Sequence, residues 1–283
     1  MSALRIPFAV ASNPEQAFKE AIAAAGLTPP TEIIDDGVIH RFSTNGKSTR
    51  KNGWYMLHTD GIAAGAFGDW REGFTQNWCS KADTSMTEAE RLAHRERVKA
   101  MQRQREDDLA QRQKLAAADA LKRWTAATPC TQHDYLTRKV IQPHGAKIEG
   151  DKMLIPMRDT AGTVHSLQTI ATDGTKMFMS RGRVKGCYFG IGKPKGALIV
   201  CEGFATGASI HECTGHAVAV AFNAGNLEAV ALALRSKYPT LKIIIAADDD
   251  HQTPGNPGMT KAKAAVQTTG ATLAVPVFKA AAA

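Results

Sequence analysis

The chain has 283 residues, 43% of them hydrophobic, which is enough for one large domain or two modest ones. No segment approaches the roughly 20 consecutive apolar residues that cross a bilayer, and the first residues lack the apolar stretch of a secretory signal, so we expect a cytoplasmic protein with no membrane partner. The formal net charge of +8 favours polyanionic partners, although a solvated basic surface is an equally good explanation.

The five cysteines argue against a disulfide or zinc scaffold. They are scattered along the chain, odd in number and contain no Cys-x-x-Cys pair. Neither a disulfide framework nor a structural zinc site is therefore expected. Buried free thiols are the better interpretation.

Residues 1–82 are predicted to form a small α+β region. A short amphipathic helix begins near Pro14, since proline is favourable in a first helical turn, and stops at Gly26. From residue 31 onward, short apolar segments alternate with Gly, Asn and Asp turns, which is typical of a small antiparallel sheet. The aromatic residues of this region either form the core of that sheet or stack on nucleic-acid bases; they are Trp54, Tyr55, Trp70 and Trp78.

Residues 83–128 are predicted to form a long helix or a helical hairpin. From Thr87 to Trp124 the chain contains neither Gly nor Pro, and it is rich in Ala, Gln, Glu, Arg and Lys. Ten Lys or Arg against seven Asp or Glu leave this segment with a net charge of +3. It is either a basic arm for a nucleic-acid backbone or a solvated spacer with intrahelical ion pairs.

Residues 129–195 are predicted to form a β-rich subdomain. The apolar segments 153–159 and 164–170 flank the turn sequence Asp-Thr-Ala-Gly-Thr, which predicts a β-hairpin. A second β-rich piece follows, up to a linker of Gly, Pro and Lys at 192–196.

Residues 196–283 have the most regular pattern. Apolar segments at 197–201, 217–222, 242–247 and 271–278 alternate with helical segments. This alternation predicts a parallel sheet with right-handed crossovers. The expected fold class is thus α/β: a parallel sheet with flanking helices, preceded by a smaller α+β subdomain and a long helical segment.

Two of these predicted strands end in carboxylates. Glu202 follows the first strand, and Asp248, Asp249 and Asp250 follow the third. Because ligands bind at the carboxyl ends of strands in an open parallel sheet, we expect these acids to face one crevice. In an extended chain Asp248 and Asp250 point to one face, while Asp249 points away and is a secondary candidate.

Such a group of acids predicts a magnesium site and phosphoryl-transfer chemistry, since hard cations take oxygen ligands. The alternatives are that Glu202 only favours the N-terminus of the next helix and that the three aspartates form a solvated acidic turn.

The motifs Cys-Glu-Gly-Phe-Ala-Thr-Gly at 201–207 and Ala-Asp-Asp-Asp at 247–250 resemble the Toprim domain, which bacterial-type primases, topoisomerases and some nucleases share. Residues 130–278 are similar to the Toprim primases of plasmids and phages in particular, as at His-Asp-Tyr-Leu-Thr-Arg-Lys (133–139). The resemblance implies that Glu202, Asp248 and Asp250 are catalytic and bind Mg²⁺ or Mn²⁺, with Asp249 a further metal-ligand candidate.

The resemblance also implies that the β-rich subdomain packs over the crevice. Its basic residues would then bind template phosphates or an incoming triphosphate, unless they are solvated surface charges; they are Arg158, Lys176, Arg181, Arg183 and Lys185. Asn223 and Asn226, in the loop after the second strand, either contact a nucleotide or cap a turn.

A DNA primase is the function that the resemblance implies: synthesis of short RNA primers from ribonucleoside triphosphates on single-stranded DNA, in plasmid or phage replication. The sequence has neither the Cys/His zinc module of many replicative primases nor the Gly-x-x-x-x-Gly-Lys-[Ser/Thr] motif of a fused helicase, so a separate helicase partner is expected. Two alternatives stay open: a Toprim-type nuclease, which uses the same acids, and a non-catalytic protein that binds single-stranded DNA.

Overall fold

The structure is a computed structural model that describes residues 13–46, 51–69, 72–81, 87–248 and 256–276. Contacts divide the chain into two compact units, unit 1 (residues 1–104) and unit 2 (residues 105–283). This division is coarser than the four regions that the sequence predicts, and its boundary falls inside the predicted long helix. Within the described ranges, no helix is both long and apolar enough to cross a bilayer.

The described part of unit 1 contains the predicted antiparallel sheet. Its elements are α1 (Pro14–Ala24), β1 (His40–Phe42), β2 (Gly53–His58), β3 (Ala64–Asp69) and β4 (Phe74–Cys79), and the strands pair in chain order. Helix α1 begins where Asn13 accepts a hydrogen bond from the backbone N–H of Glu15 at 3.1 Å. Phe18 and Ile22, four residues apart on one helix face, pack into an apolar cluster with Leu57.

The aromatic residues of unit 1 contribute to its core. Trp54 and Tyr55 are 1% and 3% exposed, and the Tyr55 hydroxyl accepts a hydrogen bond from the backbone N–H of Ile34 at 3.1 Å. The Trp78 ring lies edge-on to Phe18, with 5.2 Å between centroids. Trp70 lies outside the described residues. For the three described residues, the structure supports the core interpretation.

Helix α2 (Glu88–Ala126) is one continuous helix of 39 residues, so of the two predicted forms the single helix is confirmed. On its exposed surface, Lys99 and Glu96 form an ion pair with 2.9 Å between Nζ and Oε1, as the spacer interpretation predicts. Towards its C-terminal end, Ala120 is fully buried and packs with Leu154 in unit 2.

An antiparallel sheet forms the first part of unit 2. Its strands are β5 (Thr128–Pro129), β6 (Lys147–Glu149), β7 (Lys152–Arg158), β8 (Val164–Ile170) and β9 (Lys176–Phe178), paired in that order. Strands β7 and β8 are the predicted hairpin. A short helix that the sequence did not indicate, α3 (Asp134–Lys139), connects β5 to β6.

A second sheet carries the predicted parallel strands. Its order is β10-β12-β11-β13-β14, with β10 (Phe189–Ile191), β11 (Ala197–Cys201), β12 (Ala217–Val220), β13 (Lys242–Ala246) and β14 (Thr272–Ala274). The four strands β11 to β14 run parallel, as expected. Strand β10 is an additional antiparallel strand: it lies before residue 196 in the chain, yet it pairs with β12.

The parallel sheet is covered on both faces, which is why its strands are almost wholly apolar. Its helices are α4 (Phe204–Thr214), α5 (Leu227–Lys237) and α6 (Pro257–Thr269). Val200 packs in one apolar cluster with residues of α5 and α6. Ile199 and Cys201 pack in another, together with residues of α4 and with Met153 and Ile155 of β7. The antiparallel sheet of unit 2 therefore packs on the α4 side of the parallel sheet.

Candidate active site

Glu202 lies at the carboxyl end of β11, where the chain turns directly into α4. Gly203 is the N-cap of α4, and its carbonyl accepts the first helical hydrogen bond, from the Gly207 N–H at 2.9 Å. Gly207 permits a close approach of α4 to the sheet, because a Cβ atom there would lie 2.7 Å from Val220. The Glu202 side chain is half-buried, and its Oε1 atom has no contact with solvent.

Asp248 lies at the same edge of the sheet. Strands β11 and β13 are parallel neighbours in which Val200 pairs with Ile245. Glu202 stands one residue beyond the end of β11, and Asp248 stands two residues beyond the end of β13. Since paired strands lie roughly 4.8 Å apart, the two acids leave neighbouring strands at one edge of the sheet, one residue out of register.

The thiol of Cys201 is influenced by the charges of both carboxylates. Burial is the main reason why the pKa of Cys201 is raised well above its ordinary value, and the negative charges of Asp248 and Glu202 raise it further. Both acids therefore lie near the carboxyl end of β11, where Cys201 ends the strand. That Glu202 and Asp248 hold one metal ion together stays a prediction.

The other predicted acids, Asp249 and Asp250, lie outside the described residues. Among the residues that the structure describes, no three His, Cys, Asp or Glu side chains form a group that could hold a metal ion. The two described acids nevertheless fit a hard divalent cation, because carboxylate oxygens are the ligands that Mg²⁺ and Mn²⁺ prefer. A complete site requires further oxygen ligands from protein, substrate or water.

Strand β12 pairs with β11 on the side opposite to β13, and the chain remains hydrogen-bonded to β11 after β12 ends. The Ala221 N–H donates to the Cys201 carbonyl at 2.8 Å, so this segment stays attached to β11 up to the residue before Glu202. Phe222 follows with φ of +73°, a conformation that bulky residues rarely adopt. Asn223 is half-buried, and its side chain makes no capping hydrogen bond.

The side chain of Asn226 serves the fold. It is 3% exposed; its Oδ1 accepts from the Gly186 N–H at 2.8 Å, and its Nδ2 donates to the carbonyls of Cys187 and Ala221, both at 2.9 Å. These bonds attach the loop that leads into β10 to the carboxyl end of β12. Because of these bonds, the loop lies at the edge of the sheet where Glu202 lies. Arg183 and Lys185 belong to this loop.

The predicted basic residues separate into two groups. Arg158 and Arg183 are partly buried: Arg158 donates to the Gly162 carbonyl at 2.9 Å, and Arg183 lies 3.4 Å from Asp159 Oδ2. Burial lowers the pKa of Arg158. The other three are exposed, and they are Lys176, Arg181 and Lys185. The Lys176 ammonium lies 5.5 Å from the centre of the Tyr135 ring.

Asp159 contacts the predicted phosphate-binding residue Arg183, and the sequence analysis did not single it out. Its Oδ1 accepts from the N–H groups of Ala161 and Thr163, both at 3.0 Å, and its Oδ2 lies 2.7 Å from His165 Nε2. Burial alone would raise the pKa of Asp159, but the contacts with His165 and Thr163 outweigh it and lower the pKa. The turn sequence that predicts the hairpin contains Asp159, so a search for turn-forming aspartates would have found it.

Comparison with known proteins gives a family match for the parallel sheet of unit 2 and two relatives that align with most of the chain. The Toprim domain family matches residues 197–282. Two proteins of Escherichia coli named DNA primase TraC are 36% identical over 290 residues and 37% identical over 289 residues. Each alignment includes 95% of this chain, which spans only 27% and 20% of the length of these relatives.

Among solved structures, the primase fragment of the bacteriophage T7 primase-helicase protein aligns with 55% of this chain and 68% of its own, with 16% identity and a TM-score of 0.42. The sequence matches are the more informative. The parallel sheet of unit 2 with its helices thus matches the Toprim domain family, in a chain that is similar over 95% of its length to part of DNA primase TraC.

Proposed function

We propose that this chain is a DNA primase unit, which synthesises short RNA primers on single-stranded DNA by metal-dependent nucleotidyl transfer. One observation carries the proposal: Glu202 and Asp248 follow the ends of two adjacent parallel strands of the Toprim-like sheet. The similarity to part of DNA primase TraC supports this choice among the activities that such a site permits.

Glu202 and Asp248, together with Asp250 on the sequence prediction, would hold Mg²⁺ or Mn²⁺. When bound, such a cation activates the attacking 3′-hydroxyl and neutralises the triphosphate. The chain itself mainly orients charge, because nucleotidyl transfer needs little covalent chemistry from protein side chains. Placing the acids directly after paired strands fixes them before substrate arrives, which avoids reorganisation in the reaction.

The basic residues would bind phosphates of the template or of the incoming nucleotide. Arg158 and Arg183 are already oriented by protein contacts, so they are suited to a fixed phosphate position. The exposed Lys176, Arg181 and Lys185 are suited to a mobile backbone. Asn223 is the asparagine of its loop that we assign to a nucleotide contact, since the groups of Asn226 are engaged within the protein.

The substrates would thus be a single-stranded DNA template and ribonucleoside triphosphates, in plasmid or phage replication in the cytoplasm. A separate replicative helicase would unwind the duplex.

An incorporation assay tests the proposal. The full chain is incubated with single-stranded DNA, Mg²⁺ and labelled ribonucleotides, and the products are separated by length. We expect short labelled RNA from the wild type and none from Asp248→Asn. Asp151→Asn, which alters an exposed acid in the turn between β6 and β7, is the matched control and should retain full activity.

The same assay separates the rival functions. A nuclease would shorten the DNA and incorporate no ribonucleotide. A binding protein would do neither, although it would retard the DNA in a salt-dependent way. Full RNA synthesis by Asp248→Asn would refute the assignment of the acid.

A further inference from the structure

Phe178 is an exposed aromatic residue on the face of the antiparallel sheet that meets the Toprim domain. It ends the edge strand β9 and is 40% exposed. Its partner on β8 is Gln168, whose partner on β7 is Ile155. Directly paired residues share a face of a sheet, and Ile155 belongs to the apolar cluster that includes Cys201. Phe178 therefore faces the active-site side.

Phe222 supports the Phe178 ring. The two rings meet edge to face, with 6.3 Å between centroids and 79° between planes. Phe222 is 8% exposed and follows the residue that is hydrogen-bonded to Cys201, so it stands beside Glu202. Its φ of +73° is strained, and such strain persists only where the surroundings enforce it, often at functional sites. The buried Phe222 ring, held by a strained backbone, thus packs against the exposed ring of Phe178.

Positive charge surrounds this aromatic pair. Lys176 lies two residues before Phe178 on the same strand, and therefore on the same face. Arg181 and Lys185, both exposed, follow in the loop that Asn226 attaches to the end of β12. A fixed aromatic face among cations is the arrangement that binds single-stranded nucleic acid, because phosphates pair with the cations while bases stack on the ring.

We propose that Phe178 is a base-stacking residue that receives one unpaired nucleobase of single-stranded DNA next to Glu202. This inference deepens the proposed function, on which it rests, by naming a contact of that same site. A protein partner fits the surface less well: the neighbouring exposed apolar residue, Met177, points to the opposite face of β9, so the two do not form one apolar patch.

Binding without catalysis tests the inference. The affinity of the full chain for a fluorescent single-stranded oligonucleotide is measured by anisotropy in EDTA, without ribonucleotides. A second oligonucleotide of equal length has only abasic sugars. We expect Phe178→Leu to weaken binding to the normal oligonucleotide about tenfold, since stacking on one side chain contributes this much. On the abasic oligonucleotide, the same substitution should change nothing.

Two further variants control for the fold and for aromatic character. Phe178→Trp keeps a stacking surface and should bind at least as tightly as the wild type. Met177→Ala removes the adjacent residue, which is 65% exposed, and should leave both affinities unchanged. Melting curves of all three variants show whether Phe178→Leu is folded; if it is not, the comparison of Phe178→Trp with the wild type decides.

A titration with ATP alone identifies the source of the base. Loss of ATP binding in Phe178→Leu with unchanged DNA binding would overturn the template assignment and give the base to the incoming nucleotide. Equal loss on normal and abasic DNA, or no loss on either, would overturn stacking altogether. Because this binding needs no metal, the role of Phe178 can be measured even if the chain makes no RNA. If Phe178→Leu synthesises primers normally and binds DNA normally, only the stacking proposal is refuted.

Discussion

Trp54 and Tyr55 of unit 1 and Phe178 of unit 2 occupy opposite environments. In unit 1, Trp54 and Tyr55 are almost fully buried and form part of the sheet's interior. In unit 2, Phe178 is 40% exposed, and the buried ring of Phe222 packs edge-on against it. The richer aromatic sequence thus belongs to the fold, whereas a single inconspicuous phenylalanine has the position of a ligand contact. Exposure beside a site, rather than aromatic content, identifies candidates for base stacking.

The largest effect is expected where the comparison concerns stability. Trp54→Ala should lower the free energy of unfolding by about 3–5 kcal/mol, because it removes a large side chain from a filled interior. Phe178→Leu should change it by roughly 0.5 kcal/mol or less, as is usual at exposed positions. Urea unfolding followed by circular dichroism measures both. A stable Trp54→Ala variant with weakened DNA binding would reverse the comparison.

Glu202→Gln is expected to have the largest effect on activity. It keeps the size of the side chain but removes the charge that a cation needs, so RNA synthesis should fall about 100-fold or more. Unfolding should change little, since the residue lies beyond the end of β11. The assay is single-turnover incorporation over a range of Mg²⁺ concentrations, with Glu228→Gln, an exposed acid of α5, as control. Equal activity of the two variants would contradict the metal-ligand assignment.

The regular elements of unit 2 were predictable from the sequence, and the reasons are local. The segments that form β11, β12 and β13 are short, almost wholly apolar and separated by helical segments, so their pattern depends little on the rest of the fold. Strand β10 was not assigned to this sheet, because its three residues carry no periodicity and its partner, β12, is remote in sequence. Nothing local in the sequence specifies such a pairing.

The site was predictable to a smaller extent. Glu202 and Asp248 follow from the rule that strand ends in a parallel sheet share an edge. The contact that Phe222 makes could not be predicted in this way. A positive φ is usually signalled by glycine or asparagine, and this residue is neither. The contacts of Asp159 with His165 and Arg183 could not be predicted either, because they form only when the chain has folded.

Asn226 and Asn223 allow a residue of the fold to be compared with a residue of the site, with smaller expected effects on stability and activity. Asn226→Ala should destabilise unit 2 by about 2–4 kcal/mol, since it leaves buried backbone groups of Gly186, Cys187 and Ala221 without partners. Asn223→Ala should affect unfolding little and instead raise the KM for ribonucleotides. Thermal unfolding and steady-state kinetics of both variants provide the measurements. If Asn223→Ala lost stability and kept its KM, the nucleotide contact would be wrong.

The smallest expected effect is a pH dependence of stability. It arises from Glu212, near the C-terminal end of α4, whereas Glu202 precedes the N-terminal end of that helix. The Glu212 carboxylate accepts from the backbone N–H of Gln142 at 2.8 Å and lies 2.6 Å from His144 Nε2. The Gln142 hydrogen bond lowers the pKa of Glu212, burial partly opposes this, and His144 lowers the pKa further.

Because the folded pKa is below the unfolded one, this contact stabilises the protein above the unfolded pKa of roughly 4.3, and the contribution disappears as pH falls through the folded value. Glu212 is partly exposed, so the contribution should be below about 1 kcal/mol.

Glu212→Gln tests the sign, since glutamine still accepts a hydrogen bond but does not titrate. The wild type should be the more stable of the two at pH 6, and the difference in urea midpoint should shrink below about pH 4.5. A difference that grew towards acid pH would mean that the contact stabilises the protonated carboxyl instead, and that Glu212 acts on α4 as a neutral donor rather than as a charge.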